Sequence, residues 1–371
     1  MKVEGQNVLI EANASMNGGD GPQSYCQNSF FQKAGLEAMK EIMQKEIRDK
    51  FDVGKPSSNK SLTIKIADFG CSTGPNTFHA VQIILEAIQQ KLQSETINSQ
   101  EPEYQVFFND LVTNDFNTLF ASLPPKRQYH TAAVPGSFLN VVLPKSSIHF
   151  AYSAFSLNWL SKLPLEIIDK NSPAWNEGMI HYSSNQKDVL GAYAVQFAND
   201  FESFLCARKQ ELVSGGLVSV LVSGVPNGTC FSETSTGKLY EIFGSCFVDM
   251  ANKGLIHKDK VDSFNLPVYF PSPKEIKAVV EKNGYFNIEK MEIPPNPTYQ
   301  TGVPDSKKYA ISSRAVYEGI LCQHFGSEFV DELFKLFRKK VDETEPAIFL
   351  NPGKKNLVVL FVLLKLKPSP H

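Results

Sequence analysis

Apolar positions recur at helical spacing over residues 28–50 (Phe31, Leu36, Met39, Ile42, Ile47) and again over 78–92 (Val81, Ile84, Leu85, Ile88). A longer helical pattern covers roughly 188–213. Between these lie short apolar segments that read as strands: Leu62 into Asp68, 103–110, 147–152, and 215–222 after a glycine stop. Strands alternating with helices predict an α/β fold with a doubly wound, mainly parallel Rossmann-like sheet. Beyond Gly224 the pattern changes. Residues 235–253 and 313–340 read as helices, 267–273 as a proline-punctuated connection, 274–282 as a short helix and 285–293 as a strand. The eight-residue apolar run 357–364 reads as a buried strand closing the sheet. The chain is thus expected to be one unit over 1–371. Its core lies mainly in 28–224, 268–292 and 356–366, and a helical cap mainly in 225–267 and 293–355. Residues 17–22 are turn-rich, the first fifteen or so are expected to be mobile, and 55–60 reads as a surface loop.

Composition narrows the partners. Hydrophobic residues make up 42% and charged residues 20%, as in an ordinary globular protein with a large core. A net charge of −2 without a long basic run argues against nucleic acid. No apolar run reaches 18 residues and the first residues lack a secretory core, so neither membrane nor export is expected. Six scattered cysteines without a Cys-x-x-Cys pair support no metal site and suit a reducing, cytoplasmic setting.

The most informative stretch is Ala67-Asp68-Phe-Gly70-Cys-Ser-Thr-Gly74-Pro-Asn76, a strand running into a glycine turn and then a helix. Its Gly-x-x-x-Gly spacing is neither the Gly-x-Gly-x-x-Gly of dinucleotide binders nor a phosphate loop. It points to a ligand with a ribose and an amino acid but no pyrophosphate, such as S-adenosylmethionine. Asp68 and Asp110 both end strands, where a carboxylate can accept from ribose hydroxyls or an amino group, or simply cap a turn. Asn76 reads ordinarily as a helix cap, Ser137 as a turn cap and Phe138 as core, although the two together could meet an adenine. Trp159 reads ordinarily as core, Asn158 as a turn residue and Gln32 as solvated.

In this order the segments resemble the plant SABATH methyltransferases. The resemblance spans nearly the whole chain and includes Ser24-Tyr25-x-x-Asn28-Ser29-x-x-Gln32, Phe108-Asn109-Asp110, Val134-Pro-Gly-Ser137-Phe138, Trp159-Leu-Ser161 and Asp262-Ser-Phe-Asn-Leu-Pro267. It implies S-adenosyl-L-methionine as cofactor, near Tyr25, Ser29, Asp68, Asn76, Asp110, Leu111, Ser137 and Phe138. It implies Gln32 and Trp159 as catalytic donors to a small-molecule carboxylic acid. Phe155, Asn158, Ser223, Leu239, Tyr240, Ser313 and Leu357 would line the acceptor pocket. No metal is implied, and a homodimer is. Asn17 and Asn158 depart from the family pattern, the latter standing where histidine or methionine is usual. The overall look is nearest to members that methylate farnesoate-type and iridoid acids such as loganate. Ser223 and Ser313 suggest a roomier or more polar pocket than a phenolic acid needs.

Carboxyl O-methylation is therefore expected. N-methylation of a xanthine is the alternative, since it needs a proton acceptor and Tyr240 keeps that open. A small-molecule sensor would not need both carboxylate donors, and an NAD-dependent dehydrogenase fails on the glycine spacing.

Overall fold

The structure, a computed structural model, describes residues 15–52, 62–94, 102–182, 186–294, 305–346, 349 and 356–368. The expectations for the first fourteen residues and for 55–60 lie outside them, as do parts of 293–355.

Seven strands form one sheet in the order β3-β2-β1-β4-β5-β7-β6. They are β1 Thr63–Phe69, β2 Glu103–Asp110, β3 His130–Pro135, β4 Ile148–Ala154, β5 Leu212–Gly224, β6 Phe286–Glu292 and β7 Val358–Leu366. The first five run parallel, and β7 is antiparallel to β5 and β6. Six strands fall within a few residues of their predicted places. The seventh, β3, occupies a segment that the hydrophobic pattern did not mark as a strand. It lies at the sheet edge with no residue fully buried, so no apolar alternation marks it. Its last residue is Pro135, which an edge strand tolerates.

The helices are α1 Tyr25–Asn28, α2 Phe30–Lys50, α3 Pro75–Ser94, α4 Phe116–Ala121, α5 Lys187–Glu211, α6 Ser235–Asn252, α7 Lys258–Asp262, α8 Pro273–Asn283, α9 Ser306–Phe325 and α10 Val330–Glu343. They form two apolar layers, one on each face of the sheet. Residues of α2 and α3 share one layer with Val359, Phe361 and Leu363. Residues of α5, α6, α9 and α10 share the other with Leu360, Val362 and Leu364. Alternate side chains of β7 thus enter opposite layers, which is why its sequence is apolar without interruption.

Local signals account for two helix boundaries. In α8, Ser272 and Glu275 close a capping box around Pro273, and Gly284 ends the helix at φ +75°. The single helix expected over 313–340 is instead two. Gly326, at φ +103°, adopts a backbone conformation that L side chains rarely take, and α10 folds back onto α9 and α6. Apolar spacing continues through Phe325, Phe329 and Leu333, which masks the break. No described helix is long and apolar enough to cross a membrane.

Candidate active site

The sheet reverses its winding between β1 and β4, and the ligand crevice of such a sheet lies beyond the carboxyl ends of these strands. Leaving β1, the chain turns through Gly70 at φ +86° and Ser72 at φ +52°. A Cβ on residue 70 would stand 2.3 Å from the Ser156 Cβ, so both the conformation and the space require glycine. Ser156 in turn donates to the Phe69 carbonyl at 2.9 Å.

Two adjoining cavities open at this edge. The larger, about 400 Å³, is lined by Tyr25, Asp110, Leu111, Ser137 and Phe138, among others. The smaller is lined by Tyr25, Asp68, Asn76, Thr77 and Tyr152. Asp110 accepts from the backbone N–H groups of Ser72 at 2.7 Å and Leu111 at 2.8 Å. Asp68, 3% exposed, accepts from the Thr77 hydroxyl. Each carboxylate therefore anchors its turn and keeps further lone pairs for a ligand. Ser137 Oγ accepts from Leu139 N–H at 3.3 Å, the turn-cap arrangement, while the residue also lines the larger cavity. Asn76 is no helix cap. Its Nδ2 donates to the Ser29 carbonyl at 3.2 Å and to Ser29 Oγ at 3.0 Å, tying the start of α3 to the start of α2. Ser29 touches the site through this tie rather than as a lining residue.

Burial pushes both acids up by removing solvent from the charged form. Asp68 rises from 3.8 to about 7 and Asp110 to about 6, with the hydrogen bonds from Thr77, Ser72 and Leu111 pulling the other way. Tyr25 is raised by desolvation and by the same two carboxylates. Ser72 Oγ and the Tyr152 hydroxyl, both lining these cavities, are buried with no partner among the described residues. Such orphaned groups in a native fold await a ligand or water. Tyr152 went unnoticed in the sequence because it looked like an ordinary strand residue, yet its register pairs it with Asp68.

A third cavity, about 180 Å³, holds every expected acceptor-side residue. Gln32, Phe155, Asn158 and Trp159 line it together with Ser223, Leu239, Tyr240, Ser313 and Leu357. Asn158 does so in an unexpected way. Its Nδ2 donates to the carbonyls of Ser223 at 2.7 Å and Tyr269 at 2.8 Å, and its Oδ1 accepts from Ser223 N–H at 3.0 Å. Both amide N–H bonds are engaged by backbone, so Asn158 shapes the wall. The Tyr240 hydroxyl is hydrogen-bonded to that of Tyr317, a lining residue the sequence reading missed. Desolvation raises both phenols, Tyr317 to about 12, so the pair is neutral at physiological pH. His181 packs beneath Tyr240, with Nε2 3.0 Å from the Val268 carbonyl. Burial lowers it to about 3, and it is not among the chamber's lining residues.

The three cavities meet at a few side chains. Gln32 and Phe155 line all of them, and Trp159 lines the two largest in overall extent, the acid-edged one and the chamber. Phe155 sits at φ +61°, costly for an aromatic residue, and is held by its N–H to the Leu221 carbonyl at 2.7 Å. A Cβ on the facing Gly35 would come within 2.7 Å of the Phe155 ring. Trp159 is pinned through its backbone, by a bond to the Ser156 carbonyl and a bridge to Val268. Neither its indole N–H nor the Gln32 side-chain amide has a partner among the described residues, and Gln32 Oε1 is buried. The junction therefore carries two neutral, uncommitted hydrogen-bonding groups between an acid-edged groove and a largely apolar chamber.

Residues 11–367 match the family described as SAM dependent carboxyl methyltransferase. The chain is 46% identical over 339 residues to loganic acid O-methyltransferase of Catharanthus roseus, covering 91% of this chain and 90% of that one. It is 41% identical to farnesoic acid carboxyl-O-methyltransferase of Arabidopsis thaliana, covering 93% and 98%. The solved structure of loganic acid methyltransferase with SAH superposes with a TM-score of 0.90 at 44% identity, covering 95% of this chain and 99% of that one.

Proposed function

We propose, from the premise that this chain belongs to the S-adenosylmethionine-dependent carboxyl methyltransferase family, that its acceptor is a terpenoid- or iridoid-type acid held at the cavity junction by Gln32 and Trp159. The chain is an S-adenosylmethionine-dependent methyltransferase that forms methyl esters. The observation that carries the assignment of roles is the pair of unpartnered neutral groups where groove and chamber meet. In this reading Tyr25, Asp68, Asn76, Asp110, Leu111, Ser137 and Phe138 hold the donor in the groove. The orphaned Tyr152 hydroxyl and Ser72 Oγ fit that role as further polar contacts.

The cofactor supplies an electrophilic methyl group; the protein has to present an oxygen to it. A carboxylic acid with an ordinary pKa near 4 is already ionised at pH 7, so no general base is required. The chamber suits that chemistry, because Tyr240 and Tyr317 stay protonated and His181 is neutral behind Tyr240. The same facts weaken the N-methylation alternative, since burial keeps the Tyr240 phenol protonated and its hydroxyl is bonded to that of Tyr317, so it offers no ready proton acceptor. An arginine clamp would stabilise the charged ground state of the acid more than a transition state in which that charge is fading. Neutral donors on Gln32 and Trp159 orient the oxygen with less of that penalty. Alignment of this kind contributes up to roughly 7–11 kcal/mol. Leu239, Val316, Phe337 and Leu357 give the chamber an apolar body, and Ser223 and Ser313 leave it room, in keeping with the acids named for the two relatives. The helices α6, α9 and α10 act in this reading as a cap that sets acceptor shape.

Incubation with a labelled methyl donor and a panel of iridoid, sesquiterpenoid, phenolic and xanthine acceptors tests the proposal. Alkali-labile label is expected on an iridoid or terpenoid acid. Label only on a xanthine nitrogen, or only on salicylate, sinks it.

The raised acids add a pH dependence. Because Asp68 and Asp110 are harder to ionise in the fold than in the unfolded chain, the unliganded protein loses stability as pH rises from 3.8 towards about 7. A ligand that donates to the two carboxylates prefers their ionised forms, so it binds more tightly as pH rises and expels protons. S-adenosylhomocysteine affinity should therefore increase several-fold between about pH 5.5 and pH 7.5. Calorimetry in two buffers of different ionisation enthalpy would register the proton release, and a flat affinity profile would contradict it.

A further inference from the structure

We infer that Arg208 and Glu211, in the last turn of α5, are positioning residues that set the affinity for the methyl donor without touching it. The inference rests on the reading of the acid-edged groove as the donor's site. Arg208 is completely buried. Its Nε and Nη2 each lie 2.7 Å from Glu211 Oε2. Its Nη1 donates to the Phe138 carbonyl at 2.7 Å and its Nη2 to the Asn140 carbonyl at 3.1 Å. The guanidinium lies over the Phe69 ring, 3.8 Å from its centre. Glu211 uses its other oxygen to accept from the N–H groups of Val142 at 2.6 Å and Leu143 at 2.9 Å.

Two side chains thus grip four backbone groups of one short segment, residues 138–143. That segment joins β3 to β4 and supplies Phe138, Leu139 and Asn140 to the groove wall, directly after Ser137. Neither Arg208 nor Glu211 lines the groove or the acceptor chamber. Burying a paired charge is a poor way to gain stability, because an apolar pair of similar volume often serves as well. What an apolar pair cannot do is hold two carbonyls and two N–H groups in fixed directions. The fork geometry of arginine meets the two carbonyls while keeping its carboxylate partner, which lysine cannot reproduce. The pair therefore defines the loop, and the loop presents Ser137 and Phe138.

The test is S-adenosylhomocysteine binding by calorimetry, beside thermal unfolding, for Arg208→Lys, the double variant Arg208→Met/Glu211→Leu, and Asp110→Asn as a groove control. The loss of the bonds to the Phe138 and Asn140 carbonyls, common to both loop variants, should weaken binding about tenfold or more. The double variant should unfold at a lower temperature, because it leaves the Phe138 and Asn140 carbonyls and the Val142 and Leu143 N–H groups without these partners, so binding is read below its unfolding transition. Arg208→Lys should fail to rescue binding although it keeps the charge next to Glu211. Wild-type affinity in a folded double variant overturns the inference, and so does wild-type affinity in Arg208→Lys if the double variant does not fold. If Asp110→Asn also binds normally, the groove reading itself is at fault; if it alone loses affinity, only the loop inference fails.

Discussion

Trp159→Phe is expected to lower turnover about a hundredfold while S-adenosylhomocysteine binds as tightly as to the wild type. The substitution keeps an aromatic ring beside Tyr317, whose centroid lies 5.9 Å from that of Trp159, so the wall of the chamber persists. It removes the indole N–H, a donor with no partner among the described residues, together with part of the bicyclic ring's bulk. The bridge of Trp159 to Val268 and its bond to the Ser156 carbonyl are backbone interactions and survive. On the proposed reading, the lost hydrogen bond leaves the acid free to rotate about its remaining contact with Gln32, and a misplacement of about 1 Å is enough to cost a factor of a hundred. Single-turnover kinetics with an accepted acid, paired with calorimetry, separates the two effects. Parallel loss of turnover and of S-adenosylhomocysteine affinity would show that Trp159 supports the groove rather than the acceptor.

Asp110→Asn should have the next largest effect, weakening S-adenosylhomocysteine binding by about ten- to a hundredfold. Two causes act together. The charge that a ligand's hydroxyls would meet disappears, and one of the two oxygens becomes an NH2 group. Whichever way the new amide turns, it faces either Ser72 N–H or Leu111 N–H, both of which now donate to the carboxylate. One donor is left facing another, and the turn that begins at Gly70 loses an anchor. Overall stability should change less than affinity, because the wild-type charge is itself held in a desolvated place. Calorimetry at neutral pH gives the affinity, and an unchanged value would remove Asp110 from the groove.

Features encoded by neighbours in the chain were readable in the sequence. The glycine turn after Asp68 was evident because its backbone needs glycine, and α8 because its caps lie within a few residues of its ends. Paired apolar faces made β7 recognisable as a strand buried on both sides. What escaped was set by distant partners. The role of Asn158 depends on Ser223 and Tyr269, 65 and 111 positions away. The grip of Arg208 on the loop joins residues 68 and 70 positions apart. Tyr240 was placed in the chamber by resemblance, but its phenol partner Tyr317 lies 77 positions on. Strand β3 escaped for another reason, since an edge strand with no buried residue carries little pattern to read.

The meeting of the cavities at Gln32 and Phe155 bears on how the enzyme could be inhibited. Groove and chamber share these walls, so on the proposed reading, in which the groove holds the methyl donor, a compound joining a nucleoside to an apolar acid by a short tether would span both. Once one end is seated, the other is confined beside its own chamber at an effective concentration near the millimolar range, worth roughly 10²–10⁴ in avidity over either fragment. Swapping the acid end would fit such a compound to the chamber, while the nucleoside end would be held by the groove whatever the acceptor.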